Sequence, residues 1–316
     1  VVTNDTIEPD VPPGPTGCDE PLPEIGAGVC ALQQGTDDLL IRGNVLLPNG
    51  IQEGAAVLIS GGWITCVGCE CMNMPEALAA TRLTCPQGLI SPGLINAHDH
   101  IGWSHAHPVS HGAERYDHRH EWRKGKNGKT KLSVGSGGGT DEKTWGEIRQ
   151  IMSGTTSFFA SGGVKGYARN LDQKSNLGGL SHGTADYSTF PLGDSDGSMQ
   201  SSGCGSYDYD NPQAAAEEVA YVPHIAEGIN KAAQNEFQCV SGQDQVGVDY
   251  VLPNAAFIHG IGLTTADVGL MVADSASLIW SPRSNVSLYG MTANAKCTPG
   301  QTWERSRSAH ASWPVG

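Results

Sequence analysis

Long apolar runs are missing from this sequence: nothing in its 316 residues approaches the roughly 18 consecutive apolar positions that a membrane-spanning helix needs. Basic charge is also short, with 19 Lys and Arg against 33 Asp and Glu and a net charge of −14. Nucleic acid and anionic membrane surfaces would repel such a chain, so the expected partner is a small molecule. The opening, VVTNDTIEPDVPPGPTGCDEPLPE, has neither the positive segment nor the apolar segment of a leader. Its Pro, Asp and Glu content reads as a disordered tether over residues 1–37, of the kind that follows a removed signal or lipid anchor. No internal repeat of fixed period is found.

A regular zinc-knuckle pattern is absent too. Cys66, Cys69, Cys71 and Cys85 crowd into CVGCECMNMPEALAATRLTC, but they show neither two Cys-x-x-Cys pairs nor histidine partners. Cys18, Cys30, Cys204 and Cys239 are scattered. Disulfides are therefore expected, and with them a periplasmic or extracellular location, although the pairing is not given by spacing. Nine cysteines leave one over, and Cys297 is the candidate free thiol.

What is present is a change of grain. Residues 38–88 open with DLLIRGNVLLPNGIQEGAAVLISGGWITCVG, short β-rich runs separated by Asn-Gly and Gly-Gly turns, which predicts a meander of three or four antiparallel strands. From 89 to 295, apolar runs (LISPGLINA, GTTSFFASG, AAFIHGIG, SLIWSP) alternate with helix-compatible stretches (DEKTWGEIRQIMSG, PQAAAEEVAYVPHIAEGINKAAQNEF, TTADVGLMVADSA). That alternation predicts parallel βα units. Between Ile101 and Gly139 lies a long loop with five histidines and seven Lys or Arg residues, and a second irregular loop spans Pro191 to Pro212. Loops at this face of a barrel carry substrate contacts. His105, His107, His111, His118 and His120 are expected to be solvated loop residues.

In INAHDH, side chains two apart on a strand share a side, so His98 and His100 can reach one metal ion while Asp99 faces away. Alone, such a pair also reads as exposed polar residues. His224 in VPHIAEG and His259 in FIHGIGL add two more strand-end histidines, and parallel strands all finish on one side. Converging imidazoles are what a zinc site requires. Glu227, three residues past His224, is either a helix-start carboxylate or an acid/base beside the metal. Ser284 and Asn285 in SPRSNVS read equally as turn residues or as lining of the same mouth, and the NVS sequon there is incidental.

The stretch SPGLINAHDH resembles the first-strand signature of the amidohydrolase superfamily. The β-module resembles the N-terminal half of that family's β-sandwich, and HIAEG, FIHG and SPRSNVSL resemble its strand 5, 6 and 7 motifs. The resemblance runs from about Leu39 to Leu288. It implies an α/β fold, a (β/α)8 TIM-barrel-like domain with a small N-terminal β-sandwich module. His98, His100, His224 and His259 would be metal ligands, with Glu227 and His259 as catalytic groups, Glu227 shuttling a proton and His259 polarising the substrate. One divalent ion, zinc or else iron, is implied. The HxxE and SPRSN combination resembles the mononuclear branch of deaminases and chlorohydrolases; no lysine stands where two metals would be bridged, Lys165 reading as a solvated loop residue.

The family's eighth strand ends in an aspartate, and here the text turns into KCTPGQTWERSRSAHASWPVG, with Ser312 at the nearest echo. Residues 296–316 look foreign to the barrel, and a premature end or frameshift would account for them. A barrel incomplete at strand 8 exposes two edges, so self-association to a homo-oligomer is expected. The implied activity is metal-dependent hydrolysis of a C–N bond, or of a C–Cl bond, in a small cyclic or amide substrate. The alternatives are an imidazolonepropionase-like or peptidase-like amidase, and a metal- or ligand-binding remnant without catalysis.

Overall fold

The computed structural model describes residues 16–26, 28–181, 183–205, 207–243 and 248–294. Cys297, Ser312 and the tail from residue 296 lie outside the described residues, as do residues 1–15. The chain divides into two compact units, Val1–Pro92 and Gly93–Gly316.

The first unit is one six-stranded sheet. β1 is Thr16–Gly17, β2 Ala31–Gln33, β3 Thr36–Leu47, β4 Gly50–Ser60, β5 Trp63–Gly68 and β6 Ala80–Ile90. The order is β1-β4-β3-β6-β2, with β5 also on β4. β3, β4 and β5 form the expected antiparallel meander. β6 instead returns parallel to β3, after the short helix α1, Pro75–Ala79. Period-two alternation along β4 explains the burial on both faces. Ala56 and Leu58 pack with Leu40, Ala77 and Ala80 on one side, and Ala55 and Val57 pack with Val45 and Ile90 on the other. The second sheet of a sandwich is not among the described residues.

The tether expected over residues 1–37 is corrected for its second half. Residues 16–17 and 31–33 pair into the sheet, and Cys18–Cys69 and Cys30–Cys85 bolt this segment down. Cys66–Cys71 and, in the second unit, Cys204–Cys239 complete four disulfides. These fit a non-cytoplasmic, oxidising location. No helix among the described residues is long and apolar enough to cross a membrane.

The second unit is built from parallel βα units. Its strands are β7 (Leu94–Asn96), β8 (Thr155–Phe158), β9 (Arg169–Asn170), β10 (Asp186–Ser188), β11 (Tyr221–Ile225), β12 (Ala256–His259) and β13 (Ser277–Ile279). They form a three-stranded sheet β7-β8-β9 and a four-stranded sheet β10-β11-β12-β13, every pair parallel. Among the described residues the two sheets are not hydrogen-bonded into a closed barrel, and an eighth parallel strand is absent. The helices are α2 (Arg119–Lys124), α3 (Thr140–Met152), α4 (Pro212–Glu217), α5 (Lys231–Gln238), α6 (Thr265–Ala273) and α7 (Pro282–Tyr289). Local rules set their ends: Thr264 and Asp267 close a capping box at α6, and Pro282 opens α7, which Gly290 ends in a left-handed turn.

Alternation along the strands sorts two cores. Tyr221, Ile225, Phe257 and Leu278 join Phe237 of α5 and Met271 of α6 in the core beneath the helices. Val222, Ile258, Ile279 and Tyr187 form a second core on the opposite strand faces. His224 shares the parity of Val222 and so rises from this second face.

Candidate functional site

Each of the singled-out histidines stands at or just beyond the end of a parallel strand. His98 follows β7 by two residues, His224 lies in β11, and His259 ends β12. Strand parity would aim His259 with Phe257 into the helix layer, but its backbone turns left-handed at φ 73°. That conformation costs a branched or ringed residue on the order of 1–3 kcal/mol, the kind of strain that collects at functional sites. The ring ends 4.8 Å from that of His98 and 5.5 Å from that of His224.

His98, His224 and His259 each offer a ring nitrogen within 4.8 Å of the others. Their far sides are tied. His224 Nδ1 lies 2.9 Å from the carbonyl oxygen of Ser188, and a carbonyl can only accept, so the proton is on Nδ1 and Nε2 carries a lone pair. His259 Nδ1 is 2.9 Å from Asn285 Oδ1, and His98 Nδ1 is 2.7 Å from Ser281 Oγ. The inward Nε2 atoms of His98 and His224 are 3.2 Å apart. Burial and the neighbouring histidines hold His98 and His224 well below the usual imidazole value. The three rings are held from behind with their Nε2 atoms turned toward one another, a donor set that fits a divalent transition metal.

His100 stands beside this group. Its ring is 5.3 Å from both His98 and His224, but its nitrogens fall outside the set of three because the chain bends into a 3-10 turn at Ile101–Trp103. Burial takes it down to about 4. Asp99 does face away: its carboxylate accepts from Asn96 and from Gln150 of α3, and burial pushes it up to about 6.

Glu227 is 6% exposed, with Oε2 3.6 Å from His259 Nε2 and Oε1 accepting from the Tyr289 hydroxyl at 2.7 Å. It does not start a helix, since α5 begins at Lys231. The segment that carries it, Ala226–Gly228, is gripped from outside. Arg119 N–H donates to the Glu227 carbonyl, Glu236 accepts from Ala226 N–H, and Gly228 bridges His118. The approach at Gly228 is so close that a Cβ there would lie 2.4 Å from the Asp117 carbonyl oxygen, which is why glycine is required. Asn285 is no turn residue; it sits fully buried inside α7. Ser284 donates its hydroxyl to the carbonyl of Ser281, the residue that precedes α7.

Two expectations for the long loop are corrected. It is not wholly irregular, because α2 lies within it, and His118 and His120 are fully buried instead of solvated. His118 Nε2 is 3.0 Å from Glu236, and His120 Nε2 is 2.7 Å from Asp194. His118, His120 and Glu236 also form a compact donor set, but the Arg119 guanidinium lies among them, bonded to Asp194 and 3.8 Å from Glu236. The acids there are already balanced by a fixed cation, so this is an ion cluster that braces the loop. His105 and His107 are exposed, as expected of loop residues, and His111 is half-buried against Ser287.

Tyr289, Ser281 and Ser188 were not singled out from the sequence. A signal existed for Tyr289 alone: in PRSNVSLYG, Asn285 and Tyr289 are four apart, and Pro at the start with Gly past the end mark a helix that would put them on one face.

No protein-family model matches the chain, and no curated protein matches it. Among solved structures it is similar to an atrazine chlorohydrolase from Arthrobacter aurescens complexed with zinc, at 17% identity over 76% of this chain and 64% of that one, with a TM-score of 0.44. It is similar to an adenosine deaminase from Xanthomonas campestris with bound zinc, at 16% identity over 87% and 65% of the two chains and a TM-score of 0.39. A third is the Helicobacter pylori aminofutalosine deaminase in complex with methylthio-coformycin, at 13% identity over 82% and 73%, with a TM-score of 0.44. The chain spans about 64% of the length of the first of these.

Proposed function

We propose that the chain is a metal-dependent hydrolase that cleaves a C–N bond in a small, cyclic substrate, using one divalent ion, zinc or else iron. The observation that carries this reading is the convergence of His98, His224 and His259, each with Nδ1 engaged behind it and Nε2 turned inward. Those three residues would hold the ion, with His100 as the fourth imidazole beside them. A divalent ion in such a setting supplies Lewis acidity and brings the pKa of water from 15.7 towards about 7.

The chain's own groups do the rest. Glu227 Oε2 takes a proton from the attacking water and returns it to the leaving nitrogen. That oxygen lies 3.6 Å from His259 Nε2, which puts Glu227 next to the place where the imidazoles would hold the ion. Burial of Glu227, His224 and His259 keeps bulk water from these groups, which strengthens each electrostatic contact. We further place the protein outside the cytoplasm, in a periplasm or extracellular space, on the strength of its disulfides.

The test is a screen of nucleobases, aminated triazines and cyclic amides for release of ammonia or formation of a new carboxylate, run with the wild type and Glu227→Gln. Ammonia release that falls by about 10²–10⁴-fold in the variant is the expected result. Formation of a new carboxylate without ammonia would select the amidase reading. Bound metal with no turnover on any compound would select the non-catalytic reading.

A further inference from the structure

Glu227 presents two carboxylate oxygens to two different surroundings, and the chemistry of the donors decides what each can do. Trp122 of α2 donates its indole Nε1–H to the Tyr289 hydroxyl oxygen at 2.8 Å. Indole can only donate, so that oxygen is the acceptor in this bond. The single phenolic hydrogen is then left for Glu227 Oε1, 2.7 Å away. Tyr289 is 2% exposed and belongs to the same helix as Asn285, which orients His259. One face of α7 thus holds both the carboxylate and the imidazole that stand 3.6 Å apart.

We infer that Trp122 and Tyr289 form a directional relay that fixes the Glu227 carboxylate with Oε1 permanently engaged, leaving Oε2 as the one oxygen able to carry a proton in the reaction. Tyr289 is a positioning residue in this scheme, acting through Glu227. The inference rests on the hydrolase reading for its meaning, while the relay itself can be measured without turnover. The source of its direction is the indole: a residue at 122 that could accept would let the phenol turn away from Glu227. Burial adds to the effect, because a chain of hydrogen bonds out of water polarises its members cooperatively.

The experiment labels tryptophan with ¹⁵N and follows the indole cross-peaks, the Trp122 peak being the one that Trp122→Phe removes. The peak is expected to move in Tyr289→Phe, which deletes its acceptor, and to move also in Glu227→Gln, which alters only the far end of the relay. A tyrosine that merely filled space would leave the peak unmoved in Glu227→Gln, and that result would overturn the proposal. With a substrate from the ammonia screen, Tyr289→Phe should lower kcat on the order of 100-fold with KM and metal content unchanged, as misplacement of a reacting group does. An unchanged kcat would overturn the positioning role. Absence of metal and of turnover in the wild type would defeat the hydrolase reading, and the indole peaks would still decide for or against the relay.

Discussion

The behaviour of each site histidine is set by what stands behind it. Ser281, the Ser188 carbonyl and Asn285 hold the three rings at Nδ1, so removing one of these partners should loosen a ring without deleting a ligand. Asn285→Ala is expected to weaken metal affinity by about 10–100-fold in a competitive chelator titration, the usual cost of losing such a support. Titration adds a second prediction. His100 is lowered to about 4 from an ordinary 6.5, and His98 and His224 are also depressed, so the unfolded chain takes up protons before the folded one does. Their stabilising effect is therefore present above about 6.5 and is lost as pH falls towards 4. Asp99 runs the other way: raised to about 6 from 3.8, it favours the folded state at low pH and loses that effect as pH rises through 6. The metal-free wild type should therefore lose more thermal stability between pH 7 and pH 4.5 than a His98→Ala, His100→Ala, His224→Ala variant does, and equal losses would contradict the assignment.

At the level of elements, the site depends on α2, α7 and the strand end Ala226–Gly228 keeping their relative places. The buried cluster of Arg119, Asp194 and Glu236 is the brace. Arg119 is 1% exposed, and its charge holds the Asp194 carboxyl down to about 2. Asp194→Ala would leave a buried guanidinium short of a partner and should cost about 3–5 kcal/mol in denaturant unfolding, whereas a loss under about 1 kcal/mol would mean that water reaches the cluster. Little of this brace was legible in the sequence. His118 and His120 sit in a stretch with no periodicity, and their partners Glu236 and Asp194 are 118 and 74 residues away. The histidine convergence was legible because it follows from a local rule applied three times: parallel strands end on the same side. His259 shows the limit of that rule, since alternation would have turned it outward and only its left-handed backbone brings it in.

Across the whole molecule, covalent and ionic supports are divided between the two units. Three of the four disulfides lie within the first unit: two tie Cys18 and Cys30 to the crowded cysteines at 66–85, and the third, Cys66–Cys71, closes within that cluster. The sequence announced disulfides by count and irregular spacing, yet not their pairing, because pairing depends on a sheet in which β6 returns parallel to β3. Each such crosslink typically contributes about 2–4 kcal/mol. Reduction should therefore lower the unfolding temperature of the first unit more than that of the second, which a calorimetric scan with and without reductant would reveal as a selective shift of one transition.

The most direct test is the metal content of the purified protein, by elemental analysis, beside a His98→Ala, His224→Ala double variant. About one zinc or iron per chain in the wild type and none in the variant is the result expected from three converging imidazoles. No metal in either protein, or the same content in both, would contradict a metal site at these strand ends.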